Sequence, residues 1–284
     1  MARLAGPNLN AFTAVASALR DAGLSAPDIF AADAEHGFAI IEDLGDDLYA
    51  KAIPAGAPEI ELYQSAIDAL VTLRARAPTP PASEQYTMLA YDRLAMEAEV
   101  SLLIDWYWAF RKGDKPTDNQ RTDYIGGWRE ALESLPPPSL VILRDYHAEN
   151  LLWLPDRKAT DRVGVIDFQD GLVGNPAYDL VSLLEDARRD VSPELSAAMI
   201  ARYSERAKAF NDFDEASFRR DYAILGAQRN AKILGIFARL VMRDGKTRYQ
   251  QFFSRVEAHF RGDLAHPELK PVAAFMRANF KGLF

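Results

Sequence analysis

The spacing of apolar residues changes along the first part of the chain. Apolar side chains recur over residues 8–22 at the three- and four-residue spacing of an amphipathic helix, which Gly23 ends. Residues 27–33 and 37–44 are short apolar runs around a polar turn, a pattern typical of a β-hairpin. The opening of the chain therefore predicts one helix followed by two paired strands.

Most of the remaining chain has the helical period. A connector rich in glycine, proline and aspartate occupies 45–58, so we divide the chain near it into a small first lobe, residues 1–46, and a large second lobe, residues 47–284. Helices are predicted at 59–76, 89–111, 118–134, 176–190, 192–210, 214–243, 246–261 and 267–280. The second lobe is therefore expected to be mainly α-helical, with one small strand pair.

That strand pair is predicted within residues 140–171. The apolar runs VIL, LLWL and VGVI are separated there by the polar loops RDYHAEN and PDRKATDR. The short second connection makes LLWL, at 151–154, and VGVI, at 163–166, antiparallel partners. Because the start of one strand then lies beside the end of the other, Asn150 and Asp167 are predicted to be neighbours.

The side chains at this predicted rim indicate a chemistry. Asp145 precedes Asn150 on the same loop, so two carboxylates and one amide converge. Such hard oxygen donors suit Mg²⁺, which keeps several waters and bridges to substrate phosphates. One carboxylate beside a substrate hydroxyl can take its proton while the other groups hold the metal. The rim therefore predicts phosphoryl transfer.

Composition narrows the classes of partner. Lys and Arg number 33 against 41 Asp and Glu, a net charge of −8, which disfavours a nucleic-acid partner. The absence of cysteine excludes disulfides, thiolate nucleophiles and cysteine metal sites. Residues 1–10 contain no apolar run of the length typical of a signal peptide, and the longest apolar stretch, 101–110, is shorter than the roughly 20 residues that span a bilayer. We therefore expect a cytoplasmic protein without a membrane partner.

Four motifs in order carry a family resemblance: IIEDLGD at 40–46, LRDYHAENLL at 143–152, IDFQD at 166–170 and PAYDLVSLLEDARRDV at 176–191. The combination resembles the aminoglycoside phosphotransferase and choline kinase branch of the protein-kinase-like enzymes. Within that branch it is most similar to the bacterial anomeric kinases of N-acetylmuramate and N-acetylglucosamine, which serve cell-wall recycling. The likeness extends from about residue 8 to the end of the chain.

The resemblance implies an α+β, protein-kinase-like fold of two lobes, with a mainly helical C-terminal lobe. It also implies ATP and Mg²⁺ as cofactors. By their place in the motifs, the residues implied in the reaction are Asp145 as catalytic base, Asn150 and Asp167 as Mg²⁺ ligands, and Glu42, Asp43 and Leu44 as the hinge that meets adenine. His147 stands where many relatives place a cation near the transferred phosphate, although an ordinary loop histidine fits equally well.

Further residues are implied in supporting or substrate roles. We expect Arg144 to order the loop through an ion pair, and Asp179 to hold the catalytic loop in shape. Asp170 faces the same rim if IDFQD continues into a turn, where it could touch metal or sugar.

Substrate contacts are also possible from two helical segments. Trp106 and Trp108 form either a sugar-stacking platform or, as the more frequent case, part of the core. The stretch 227–240, which contains Gln228 and Arg229, could bind the sugar. The alternative for this helix is a polar face, including Lys232, paired with Glu185 and Asp186.

One part of the kinase pattern is not found in the sequence. Kinases cover the phosphates with a Gly-rich loop and use a strand lysine, and both precede the helix predicted at 8–22. Neither motif occurs in the chain, and Lys51 is its first lysine. The sequence therefore predicts a truncated N-terminal lobe with an unpaired sheet edge.

Three functions remain open from the sequence. The first is an ATP-dependent kinase for a hydroxyl of a small sugar, with a cell-wall amino sugar favoured. The second is a kinase for an aminoglycoside or another small alcohol. The third is a truncated pseudokinase that acts as a binding protein, a reading that the intact Asp145, Asn150 and Asp167 oppose. The sequence does not predict an oligomeric state.

Overall fold

The predicted opening helix and hairpin are both present. A computed structural model describes the backbone of residues 6–284 and the side chains from Leu9 onward. Helix α1 spans Gly6–Asp21, and strands β1, Ile29–Asp33, and β2, Phe38–Ile41, pair antiparallel with a bulge near Ala31. The local pattern of apolar residues was therefore sufficient to locate these elements.

The rest of the chain is mainly helical, as the sequence predicts. The helices that follow are α2 (Tyr49–Ala52), α3 (Glu59–Arg76), α4 (Arg93–Leu102), α5 (Trp108–Lys112), α6 (Asp118–Glu133), α7 (Ala177–Leu184), α8 (Pro193–Ala207), α9 (Glu215–Met242), α10 (Phe253–Asp263) and α11 (Lys270–Asn279). The later strands are β3 (Leu140–Ile142), β4 (Leu151–Trp153), β5 (Val163–Val165) and β6 (Leu172–Gly174).

The helices and strands belong to two compact units. One unit contains the described chain up to Ala90 together with 138–214, and the other contains 91–137 together with 215–284. Each unit therefore combines stretches that are distant in sequence. The predicted lobe boundary near residue 46 is a different division and stays a prediction, and residues 1–5 of that first lobe lie outside the described residues.

The helix predicted at 89–111 is wrong in its start and its continuity. The helix starts only at Arg93 because the chain before it is extended and Ala90 bridges to Val173. Asp92 caps α4 by accepting a hydrogen bond from the Ala95 N–H at 2.9 Å. A π-helical turn at Leu103–Tyr107 then interrupts the α-helix before α5. Periodicity does not distinguish a π turn from a regular one.

The prediction of a single strand pair in the second lobe is also wrong. The predicted pair β4–β5 is present, but β3 also pairs antiparallel with β6, which the sequence analysis left unassigned. Strand β6 has three residues and ends in Gly174, so its sequence resembles a loop. A Cβ at Gly174 would collide with the Ile142 side chain, so a larger residue here would require that side chain to shift.

Several predicted helices are shorter than their apolar patterns. Helix α7 ends at Leu184 rather than at residue 190, and the next residues form a turn in which the Arg188 N–H donates to Asp186 Oδ1 at 2.8 Å. The helices predicted at 246–261 and 267–280 open with 3₁₀ turns before α10 and α11. After α7, the short polar side chain of Asp186 competes with the helical backbone for a hydrogen bond.

Candidate active site

The β4–β5 hairpin builds one rim of the candidate site. Leu151 pairs with Val165 and Trp153 with Val163, and the Ile166 N–H donates to the Asn150 carbonyl at 3.1 Å, which extends the ladder by one step. Asn150 Nδ2 lies 3.4 Å from Asp167 Oδ2. The predicted proximity of these two residues is therefore confirmed.

A buried carboxylate holds the polar loop before β4, residues 143–150, which we call the catalytic loop. Asp179 on α7 is 2% exposed and accepts hydrogen bonds from the backbone N–H groups of Leu143, at 2.8 Å, and Arg144, at 2.9 Å. Arg144 has the left-handed backbone conformation, with φ of 65°. The two bonds thus hold a sparsely populated backbone conformation, a geometry that fits the supporting role expected of Asp179.

Tyr146 anchors the same loop, and the sequence analysis gave it no role. Its hydroxyl donates to the carbonyl of Ala66 on α3 at 2.9 Å. Burial raises the pKa of Tyr146 well above its usual value, and the charges of Tyr49, Asp179 and Asp68 act in the same direction. The phenol therefore stays protonated as a hydrogen-bond donor.

Asp145 lies half-buried between these two anchors. Asn150 Nδ2 donates to its backbone carbonyl at 3.0 Å. Among the residues whose side chains are described, none makes a hydrogen bond or ion pair with the Asp145 carboxylate oxygens. The backbone at Asp145 is thus held by the Asn150 side chain.

Asp167 sits on a constrained turn after β5. Its φ of 59° is left-handed, and its Oδ1 accepts a hydrogen bond from Gln169 Nε2 at 2.6 Å. The intervening Phe168 is fully buried and stacks on Phe12 of α1, with ring centroids 5.0 Å apart. One residue of the turn is therefore fixed in the core while Asp167 is exposed.

The donor set at this rim fits a hard divalent cation. Asn150 directs its Nδ2 towards the Asp145 carbonyl and Asp167, so its Oδ1 is the atom left for a metal. In the described part of the chain, no three His, Asp or Glu side chains form a metal-binding cluster. An ion held by Asn150 and Asp167 would therefore complete its shell with water and phosphate oxygens, as Mg²⁺ does.

The predicted hinge, residues 42–44, is followed by a segment that contacts strand β4. Beyond it, the Trp153 N–H donates to the Asp47 carbonyl at 2.8 Å, and Leu48 bridges to Leu152. The Glu42 carboxylate forms an ion pair with Arg157, while the Glu42 N–H donates to the backbone carbonyl of Asp28 at 2.7 Å. Asp43 accepts a hydrogen bond from the Gly45 N–H at 2.8 Å. Contact with adenine stays a prediction for Glu42, Asp43 and Leu44.

Of the remaining predicted residues of this unit, Arg144 and Asp170 contact each other at the turn that follows β5. His147 is buried in the catalytic loop. Arg144 donates from Nη1 to the Asp170 carbonyl at 3.4 Å, so it contacts the turn through a backbone oxygen. Asp170 is exposed, and burial first and then its charge raise the pKa of nearby Tyr86. Tyr86 had no sequence signal because it comes from a separate loop.

The predicted substrate residues Trp106, Gln228 and Arg229 lie in the other unit. Trp106 is half-buried on the π-helical turn, and Arg229 is buried on α9. Gln228 is fully buried, accepts a hydrogen bond from the Tyr91 hydroxyl at 3.0 Å and donates to Glu99 at 3.2 Å. Substrate contact by these three residues stays a prediction.

The predicted pairing of the polar face of α9 with Glu185 and Asp186 is wrong for Lys232. Lys232 pairs with Glu99 on α4, at 3.0 Å, rather than with Glu185 or Asp186. Sequence spacing could show that the face is polar, but it could not show which acidic residue packs against it.

Comparison with known proteins identifies the family. The sequence model described as the phosphotransferase enzyme family matches residues 3–219, so the chain belongs to that family. A relative from Caulobacter vibrioides named N-acetylmuramate/N-acetylglucosamine kinase is 43% identical over 281 residues, covering 97% of this chain and 76% of the relative. A relative of the same name from Neisseria meningitidis serogroup B is 33% identical, covering 89% of this chain and 75% of the relative.

Solved structures agree on the fold. The ADP-bound crystal structure of aminoglycoside phosphotransferase APH(2'')-Ib superposes with a TM-score of 0.57 at 16% identity and covers 94% of this chain and 83% of its own. The GDP complex of an aminoglycoside 2'-phosphotransferase-IIIa mutant gives 0.57 at 15% identity, covering 98% and 84%. The chain is therefore a phosphotransferase with an α+β, protein-kinase-like fold. Among the described residues, no helix is long and apolar enough to span a membrane.

Proposed function

We propose that this chain transfers the γ-phosphate of ATP to a hydroxyl of N-acetylmuramate or N-acetylglucosamine, with Mg²⁺. The observation that carries the proposal is the contact of Asn150 with Asp167 across the hairpin, together with the hydrogen bond from Asn150 to the backbone carbonyl of Asp145 on the same loop. A proton acceptor next to two oxygen ligands is the minimum set for metal-assisted phosphoryl transfer to an alcohol.

Asp145 is proposed as the catalytic base. Its carboxylate accepts a hydrogen bond from the acceptor hydroxyl and takes that proton while the hydroxyl oxygen forms a bond to the γ-phosphorus. The bond from the γ-phosphorus to the bridging oxygen breaks, and ADP leaves with the electron pair. The backbone restraints from Asp179 and Asn150 hold the carboxylate in place, because correct orientation contributes much of the rate in such a transfer.

Asn150 Oδ1 and the Asp167 carboxylate are proposed to hold Mg²⁺, which when bound neutralises charge on the phosphates. Their contact with each other across the hairpin sets the spacing of the two ligands. The nucleotide is proposed to lie along residues 42–44, which continue into the bridge between Leu48 and Leu152. Asp170 is proposed to contact the metal or the acceptor sugar.

The substrate class comes from the named relatives. Both relatives named above carry N-acetylated sugars in their names, and the first is 43% identical over almost all of this chain. The two aminoglycoside phosphotransferase structures described above share the fold of this chain but are only 16% and 15% identical to it. That level of identity does not support a substrate assignment. An N-acetylated amino sugar is therefore the favoured acceptor.

The test measures ADP release with Mg-ATP and a panel of N-acetylmuramate, N-acetylglucosamine, glucose and a cationic aminoglycoside. We expect turnover of the N-acetylated sugars. Asp145→Asn should lower kcat at least ~10²-fold because it removes the proton acceptor but preserves shape. Asp156→Asn, on an exposed turn, is the matched control and should leave kcat unchanged.

Other outcomes assign other functions. Turnover confined to the aminoglycoside would replace the proposed acceptor. Absence of turnover together with no thermal stabilisation by Mg-ATP far above any plausible Kd would support a binding protein instead of a kinase. Wild-type turnover by Asp145→Asn would remove Asp145 from the role of base.

A further inference from the structure

Both oxygens of the Asp167 carboxylate face a side-chain amide. Asn150 Nδ2 lies 3.4 Å from Oδ2, and Gln169 Nε2 donates to Oδ1 at 2.6 Å. The first amide comes from the catalytic loop and the second from the turn that follows β5. Each oxygen of the carboxylate therefore contacts an amide from a different element of the same unit.

The backbone that carries Gln169 is itself fixed. Phe168 is buried against Phe12, and the Gly171 N–H donates to the Phe168 carbonyl at 2.9 Å, which closes the turn. A Cβ at Gly171 would lie 3.0 Å from the carbonyl oxygens of both Ile142 and Phe168, so the turn packs tightly against β3. The Gln169 amide consequently reaches Asp167 from a rigid support.

Asp167 needs such a support more than an ordinary surface carboxylate does. It is exposed and has a left-handed φ of 59°, so neither burial nor a regular strand restrains its side chain. A neutral amide orients the carboxylate without cancelling its charge, whereas a lysine or arginine at the same place would compete with a cation.

We propose that Gln169 is a positioning residue that orients the Asp167 carboxylate for binding of a divalent cation. The inference rests on the proposed function, because it assumes that Asp167 is a metal ligand. It adds that the fourth residue of IDFQD tunes the affinity for the ion through a hydrogen bond, without contacting the acceptor sugar.

The test compares Gln169→Met, which keeps the length of the side chain and removes the donor, with Gln251→Met as a control on an exposed surface. Free Mn²⁺ is measured by electron paramagnetic resonance in the presence of ADP and each protein. We expect Gln169→Met to weaken Mn²⁺ binding about 10-fold, in the range typical of outer partners of metal ligands. The Gln251 variant should match the wild type.

Kinetics provide a second readout. The Mg²⁺ concentration for half-maximal activity should rise by a similar factor in Gln169→Met, while the KM of the acceptor sugar stays at the wild-type value. A merely structural role would instead shift both constants together with the thermal midpoint. If Gln169→Met fails to fold, Gln169→Ala replaces it in the same measurements.

The outcomes separate this inference from the proposed function. If the wild type binds no more Mn²⁺ than ADP does alone, or if Asp167→Asn binds it equally well, the metal site of the proposed function fails. If Asp167→Asn weakens binding but Gln169→Met matches its control, the role of Gln169 is overturned and the proposed metal site stands.

Discussion

Two hairpins of one unit look similar in sequence and differ in structure. Strands β1 and β2 are short apolar runs around a polar turn, and so are β4 and β5. In the first hairpin Phe30 is 67% and Ile40 is 52% exposed, whereas Leu152 in the second is 3% exposed. An apolar strand pattern thus predicts pairing, but not burial.

The difference follows from what packs on each hairpin. Strand β5 is bridged by Ser25 and strand β4 by Leu48, so both outer edges of the second hairpin are occupied. This hairpin also ends at Asn150 and Asp167, which gives the candidate site a rigid base. The rate of phosphoryl transfer is therefore expected to depend on the β4–β5 hairpin and its anchors far more than on the β1–β2 hairpin.

The largest effect is expected from removing the anchor of the catalytic loop. Asp179→Ala should lower the free energy of unfolding by about 3 kcal/mol, because two buried N–H groups lose a charged acceptor. It should also lower kcat about 100-fold through misplacement of the loop. Chemical denaturation and the kinase assay measure the two effects.

Asp179→Asn retains one accepting oxygen, so its free energy of unfolding and its kcat should both lie between those of the wild type and those of Asp179→Ala. Asp156→Ala is the exposed control. Stability equal to the wild type in Asp179→Ala would show that the loop is held by other contacts.

A smaller effect is expected from adding a side chain at Gly164, where β5 is tightly packed. A Cβ at Gly164 would lie 3.1 Å from Leu152 Cβ and 3.3 Å from Leu44 Cδ1. Gly164→Val should therefore destabilise the fold by about 1–3 kcal/mol through overpacking. Thermal unfolding measures the change.

The control is the same substitution at Gly126 on α6, where a Cβ meets open space. Gly126→Val should cause no loss, because valine favours a helix over glycine by a few tenths of a kcal/mol. Equal midpoints for the Gly164 and Gly126 variants would contradict the close packing of β5.

The smallest effect is expected in the exposed hairpin. The double variant Phe30→Ser, Ile40→Thr should change the free energy of unfolding by less than about 0.5 kcal/mol, because both side chains are largely in solvent. Light scattering during refolding should decrease, since an exposed apolar strand is prone to edge pairing. A large fall in thermal midpoint would show that this hairpin is buried in solution.

Sequence analysis located the main elements of the candidate site and named Asp179 as a support, but it did not find the supports at Tyr146 and Gln169. The RDYHAEN and IDFQD motifs and their flanking strands predicted the meeting of Asn150 with Asp167, because antiparallel pairing with a short connection allows few other geometries. Tyr146 stood within its motif without a role because its hydrogen-bond partner, the carbonyl of Ala66, comes from a distant element and leaves no local signal. Gln169 also stood without a role, because the spacing of two residues does not show that its amide reaches Asp167. Strand β6 was missed because a glycine that permits close packing resembles a loop residue.

The sequence by itself determined the class of chemistry, the order of the motifs and the period of most helices, because these depend on residue type and local spacing. The tertiary structure decided which hairpin is buried, which acidic residue meets Lys232 and which residues anchor the catalytic loop. Those properties depend on side chains that pack from segments far apart in the chain, and no local pattern encodes which of many compatible partners will be adjacent.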